Sequence, residues 1–279
     1  MYEEILYSVD GPVAEIRFNR PDRLNALTRK MLAELKHAVG QAEADETVVG
    51  IVVTGEGRGF CAGMDMQALS ALGEAGGTAS RGAEDFGLDA DPGDPAMGED
   101  FKIAHSYLMA VRKPIIAAIN GPCAGLGFVL AMLCDIRFVA EEAVITASFS
   151  QRGLVAEYGV SWILPRLIGV SQTLDLLWTS RKIRGPEAKE MGLADKLYPA
   201  ESVAAEARSY IENLAATAAP YSLMMMKRQV YRHLTMPLGD ALGETMEWIA
   251  ESTARDDFKE GVQAFLDQRP PKFERVKSD

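Results

Sequence analysis

The sequence has little cysteine, little histidine and no excess of basic charge. Three cysteines stand among 279 residues: Cys61, Cys123 and Cys134. Their number is odd, their spacing is wide and no CxxC pair occurs. That argues against a disulfide framework and against a cysteine zinc site. The three histidines, His37, His105 and His233, lie far apart and form no HExxH motif, so no metal site is expected. Lys and Arg total 29 against 40 Asp and Glu, a net charge of −11. So acidic a chain lacks the positive field that phosphate backbones attract, and nucleic acid is not an expected partner. A small anionic ligand needs only a few local cations and stays open. No apolar run is long enough to span a bilayer, and the opening MYEEILYSVD is acidic and alternating, unlike a signal peptide. The expectation is a cytoplasmic protein with no membrane contact.

What is present is the material of a globular enzyme, with 48% hydrophobic and 25% charged residues, enough for one large domain or two small ones. Ile5–Val9 and Val13–Phe18 alternate around Asp10-Gly11-Pro12 and read as a hairpin. Thr28 is placed to cap a helix on which Leu27, Met31, Leu35 and Val39 recur every four residues. Gly50–Val53 is a continuous apolar strand of the buried, parallel kind. Residues 73–100 are rich in Gly, Ala, Asp and Glu without apolar periodicity, which predicts a long mobile loop. Phe101–Val111 is helical in pattern. Ile115–Ile119 reads as a strand, Gly125–Leu133 as a helix, and Ile136–Val139 and Ala143–Ala147 as strands. From Gly159 onward the pattern is almost wholly helical, ending in a helix with Phe258, Val262 and Phe265 on one face. The expected division is an α/β core over 1–198, with the mobile loop at 70–100, and a helical region over 199–279.

Two strands run into loops of small residues. Val53 leads into Thr54-Gly55-Glu56-Gly57-Arg58-Gly59-Phe60-Cys61-Ala62-Gly63-Met64-Asp65-Met66. Ile119 leads into Asn120-Gly121-Pro122-Cys123-Ala124-Gly125-Leu126-Gly127-Phe128. Strand–loop–helix junctions leave free N–H groups at the helix start, where the dipole also favours negative charge. Two neighbouring junctions can aim two donors at one oxygen, which makes an oxyanion hole. The same segments also fit ordinary turns feeding a sheet. A dinucleotide fingerprint is disfavoured, because Leu130 stands where its third glycine belongs. Gly159-Val160-Ser161 lacks the second glycine of a nucleophile elbow.

An ordered set of segments resembles the crotonase (enoyl-CoA hydratase/isomerase) family. It runs Asn19-Arg20-Pro21-Asp22-Arg23-Leu24-Asn25-Ala26-Leu27, then Phe60 to Met66, then Lys113-Pro114 with Asn120-Gly121, then Ala131-Met132-Leu133-Cys134-Asp135. The tail, Glu260-Gly261-Val262-Gln263-Ala264-Phe265-Leu266 with Arg269-Pro270-Pro271, completes it. The resemblance spans nearly the whole chain. It implies a crotonase-like fold of repeated ββα units with a C-terminal helical region used in trimerisation. The expected assembly is a homotrimer or a dimer of trimers. The resemblance also implies an acyl-CoA thioester as substrate, coenzyme A being part of it, with no tightly bound cofactor. The N–H groups of Met64 and Leu126 would form the oxyanion hole. Arg23, Leu24, Ala26, Ala62, Asp65 and Met66 would lie along the CoA. Phe265 and Arg269 would approach the acyl pocket or the phosphates, from this subunit or a neighbour. Each has a plainer alternative: a helix cap for Asp65, solvated charge for Arg23 and Arg269, core packing for Phe265.

The side chain that does the chemistry is narrowed by what is missing. By the same resemblance, the two glutamates of a hydratase fall at Val129 and Phe149. Adding water across a double bond wants two carboxylates; moving the double bond needs one. The segment Gly153-Leu154-Val155-Ala156-Glu157-Tyr158-Gly159 resembles the family's G-L-x-P-D-x-G, whose Asp is catalytic in several isomerases and in an aryl-CoA dehalogenase. Glu157 holds that place, and Phe149 would border the substrate. Glu157 also suits the start of a helix. In an apolar pocket its pKa should rise, as a general base requires. Tyr158 and Trp162 fit either an acyl pocket or the core, and Met224-Met225-Met226 fits helix packing. The leading expectation is enoyl-CoA isomerisation by one glutamate. Hydration, hydrolytic or dehalogenase-like attack, and an acyl-CoA-binding homologue without activity remain as alternatives.

Overall fold

The computed structural model describes residues 2–66, 68, 70 and 86–276. A hairpin opens it, β1 (Ile5–Asp10) pairing antiparallel with β2 (Val13–Phe18). Helix α1 (Arg29–Ala44) follows, with the Thr28 side chain accepting the Met31 N–H at 3.0 Å. Strands β3 (Gly50–Gly55) and β4 (Ile115–Ile119) then extend β2 in parallel. The short α2 (Tyr107–Ala110) precedes β4. After β4 come β5 (Cys123–Ala124), α3 (Leu126–Leu133), β6 (Ile136–Ala140) and β7 (Val144–Thr146). The remainder is α4 (Val160–Thr179), β8 (Ile183–Arg184), α5 (Gly185–Glu190), β9 (Lys196–Tyr198), α6 (Val203–Thr217), α7 (Pro220–His233), α8 (Leu238–Ala254) and α9 (Asp256–Leu266). The strands form a six-stranded sheet, β1-β2-β3-β4-β6-β9, and a three-stranded sheet, β5-β7-β8.

The apolar run of β4 is continuous because both faces are covered. Ile115, Ala117 and Ile119 join the larger core with α1 and α3, whereas Ile116 and Ala118 face α6 through Val203, Ala207 and Ile211. Thus α6, the first helix of the expected C-terminal region, is a layer of the sheet domain. Glu34 on α1 is buried, and its carboxylate accepts the N–H groups of Glu3, Glu4 and Ile5 at 2.8, 2.8 and 3.1 Å, fastening the first strand.

Three expectations meet a different structure. The helix expected over Phe101–Val111 is a 3-10 turn at Glu99–Lys102 followed by α2 alone. The Ser106 hydroxyl donates to the Asp100 and Ile103 carbonyls at 3.0 and 2.7 Å, and such local bonds compete with helix. Strands β8 and β9 interrupt the expected helical stretch; at two and three residues they are too short to show a period. The loop expected over 73–100 lies partly outside the described residues. Its later part is pinned: Gly93 donates to Glu43 at 2.7 Å, and buried Asp94 pairs with Arg228 at 2.5 Å.

Candidate active site

The two Gly loops run side by side. Cys61 and Cys123 form a parallel bridge, with Cys61 N–H donating to Pro122 O at 3.0 Å and Ala124 N–H to Cys61 O at 2.9 Å. Three residues on from each partner stand Met64 and Leu126. The loops stay in contact there because Gly63 has φ +96, and a Cβ on it would sit 3.0 Å from the Ala124 oxygen.

Among the described residues both N–H groups lack a partner. Leu27 bridges Met64 by donating to Gly63 O at 2.8 Å and accepting from Asp65 N–H at 2.9 Å, so the Met64 N–H faces away from Leu27. Leu126 is the first residue of α3, whose opening N–H groups have no partner within the helix. Among the described residues neither group donates to a backbone acceptor. Met64 and Leu126 both line one cleft of about 420 Å³. Two loops therefore bring two residues with unengaged N–H groups to one space.

The first loop is held by an asparagine. Asn25 is fully buried at φ 56; its side chain accepts from Arg20 N–H at 2.9 Å and donates to Glu56 O and Gly59 O at 3.0 and 2.8 Å. Asn tolerates that left-handed backbone better than Ala. Asn25→Ala should destabilise the protein by about 2–3 kcal/mol, since it leaves buried backbone groups unpaired. Urea unfolding of both proteins measures this, and an unchanged midpoint would sink the role.

Glu157 reaches the cleft from the other side. The chain turns at Ser150–Arg152, then passes Tyr158 at φ 49 and Gly159 at φ 81 into α4. The Glu157 carbonyl accepts the Val160 N–H at 3.0 Å, so its backbone closes the helix start while its side chain stays available. Among the described residues no side-chain hydrogen bond or ion pair engages the carboxylate. Glu157 is half-buried, and burial raises its pKa from the ordinary 4.5. Phe149 lines the same cleft, and Val129 is fully buried on α3.

Arg23, Ala26, Ala62, Asp65 and Met66 also border the cleft. Arg23 is exposed and pairs with Asp22 at 3.7 Å. Asp65 pairs with Arg20 at 3.1 Å, and Arg20 also reaches Glu4 at 3.8 Å. Leu24 does not border the cleft: its side chain lies over Gly59, and its carbonyl accepts the Ala62 N–H at 2.9 Å. Phe265 and Arg269 do not border it either. Phe265 is 83% exposed in a separate groove on α9, and Arg269 is held by Glu260 at 2.6 Å and Asp267 at 3.4 Å.

Sequence reasoning passed over Arg20, Ser148, Arg152 and Leu154, which line the cleft. Arg20 stood within a quoted motif, so a signal existed. Arg152 gave none: it is an exposed residue whose guanidinium donates to Ser148 O at 2.7 Å. Among the described residues it has no acidic partner.

The family model "Enoyl-CoA hydratase/isomerase" matches residues 9–89 and 92–276. The chain belongs to the enoyl-CoA hydratase/isomerase family. It is 31% identical over 279 residues to the 1,2-epoxyphenylacetyl-CoA isomerase of Escherichia coli, covering 98% of this chain and 99% of that one. It is 32% identical over 271 residues to the enoyl-CoA hydratase ACTT3 of Alternaria alternata, covering 95% of this chain and 86% of that one. The solved enoyl-CoA hydratase of Bacillus anthracis superposes with a TM-score of 0.83 at 26% identity, covering 98% of this chain and 99% of that one. The fold is that of the crotonase family, and the chain is an acyl-CoA enzyme of that family. Relatives carry both hydratase and isomerase names.

Proposed function

We propose that this family member is an enoyl-CoA isomerase working by a single-carboxylate proton shuttle. One observation carries the reading. Among the described residues lining the cleft, two are acidic, Asp65 and Glu157, and Asp65 is already ion-paired to Arg20 at 3.1 Å. Glu157 is left as the base, and the places of a hydratase's two glutamates hold Val129 and Phe149.

The N–H groups of Met64 and Leu126 hydrogen-bond the thioester oxygen and acidify the α-carbon. Glu157 takes a proton from that carbon of a 3-enoyl-CoA. The electron pair spreads into a dienolate whose charge rests on the thioester oxygen. Glu157 then returns the proton to the γ-carbon, and the double bond lies between the α- and β-carbons. No atom is gained or lost. Arg23 and Arg152 at the cleft supply positive charge for the CoA phosphates. The protein acts in the cytoplasm as a homotrimer or dimer of trimers; the exposed Met226, Val230, Leu238, Leu242 and Met246 on α7 and α8 support self-association.

Product analysis tests this. With 3-enoyl-CoA the expected product is 2-enoyl-CoA of unchanged mass. Addition of one water to 2-enoyl-CoA as the main activity would replace the reading with hydration. Release of free CoA would replace it with hydrolysis.

A further inference from the structure

A second cavity of about 610 Å³ lies beside the cleft. Phe101, Ile103, Ala104, Met109 and Trp162 give it largely apolar walls, and the Ser106 hydroxyl there is engaged by the Asp100 and Ile103 carbonyls. Among the described residues one residue lines both spaces, Tyr158. Its position is built. Its backbone is left-handed at φ 49, which a bulky residue adopts only when its surroundings hold it there. Its ring packs edge-on against His105, centroids 5.0 Å apart at 64°. Burial holds the His105 pKa down to about 4, so that ring is uncharged at neutral pH.

Tyr158 directly follows Glu157. Both border the cleft that Met64 and Leu126 line. We propose that Tyr158 is a specificity-determining residue whose ring separates the reactive cleft from the apolar cavity behind it and confines the enzyme to short acyl groups. This rests on the acyl-CoA reading above. Removing the ring joins the two spaces and admits acyl tails of eight carbons or more. Each methylene moved from water into apolar surroundings is worth about fourfold in affinity. Four more methylenes therefore leave ample room for a shift of about tenfold, even with imperfect packing.

The test measures calorimetric affinities for butyryl-CoA and octanoyl-CoA, which are saturated and undergo no double-bond chemistry. Wild type should bind butyryl-CoA at least as tightly as octanoyl-CoA. Tyr158→Gly, whose backbone accepts positive φ, should shift the ratio toward octanoyl-CoA by about tenfold or more. Tyr158→Asn, also tolerant of that backbone, is a second opening variant should the first fold poorly. Tyr158→Phe keeps the ring and should keep the wild-type ratio. Adding Ile103→Trp to the open variant refills the cavity and should cancel the shift; Ile103 is exposed enough to take the larger ring without core damage. An unchanged ratio in the open variants overturns the proposal. So does a shift that survives Ile103→Trp, or a wild type that already prefers octanoyl-CoA. Failure of wild type to bind either thioester would strike the acyl-CoA reading instead.

Discussion

Glu157→Gln is expected to lower kcat on 3-enoyl-CoA by about 10²–10⁴, the range for losing a positioned general base. Substrate binding should survive, because Gln keeps the shape and the Met64 and Leu126 donors are backbone groups. The pH profile gives a second readout. The base works only when ionised, and burial raises the Glu157 pKa above its ordinary 4.5. The acid limb of the wild-type kcat profile should therefore lie above 4.5 and vanish from the residual activity of the variant. Stability moves the other way. A raised folded pKa means that stability from this group is fully present below 4.5 and lost as pH rises through the raised value. Glu157→Gln should then melt higher than wild type at pH 7, with the difference shrinking toward pH 4. Retained kcat in the variant would remove Glu157 from the mechanism. A covalent acyl adduct on Glu157 in wild type would make it a nucleophile rather than a base.

How much of this was legible in the sequence depended on whether the signal was local. The two glycine-rich junctions were, as segments; the resemblance alone singled out Met64 and Leu126 within them, and the fold sets both on one cleft. The resemblance of segment 153–159 pointed to Glu157, and the structure places that residue at the same cleft. The parallel core strands were legible because burial on both faces makes β3 and β4 continuously apolar. The partition at Tyr158 was not. Its cavity is walled by 100–109, 158–162 and Thr235, which are far apart in sequence and meet only in the fold. The short edge strand β9 escaped for a different reason: Lys196, Leu197 and Tyr198 are too few to show a two-residue period. Asp94 was hidden in a stretch of turn-forming composition, although its carboxylate is buried against Arg228. Composition reports what a segment is made of and is silent about a distant partner that fixes it.

The contact between the two loops yields the other large effect. A Cβ on Gly127 would lie 2.6 Å from the Cys61 carbonyl oxygen and 2.7 Å from its Cβ and Sγ. The oxygen cannot swing aside, since it accepts the Ala124 N–H at 2.9 Å, and Cys61 N–H is bound to Pro122 O. Gly127→Ala must therefore push the loops apart, displacing Met64 relative to Leu126. Loss of alignment at one such donor typically lowers kcat by about 10²–10³. The overpacking itself should cost about 1–3 kcal/mol. These two effects need separating, because a loosened protein also loses activity. Ile211→Ala serves as the control. It removes a fully buried side chain between α6 and the far face of the sheet, away from both loops, at a cost of about 2–5 kcal/mol. Under conditions where both variants stay folded, Ile211→Ala should retain kcat within a few-fold while Gly127→Ala does not. A Gly127→Ala protein that melts lower yet turns over at the wild-type rate would show that the Cys61–Gly127 contact does not align the donors. A rate loss in Ile211→Ala as large as that in Gly127→Ala would assign the effect to stability alone.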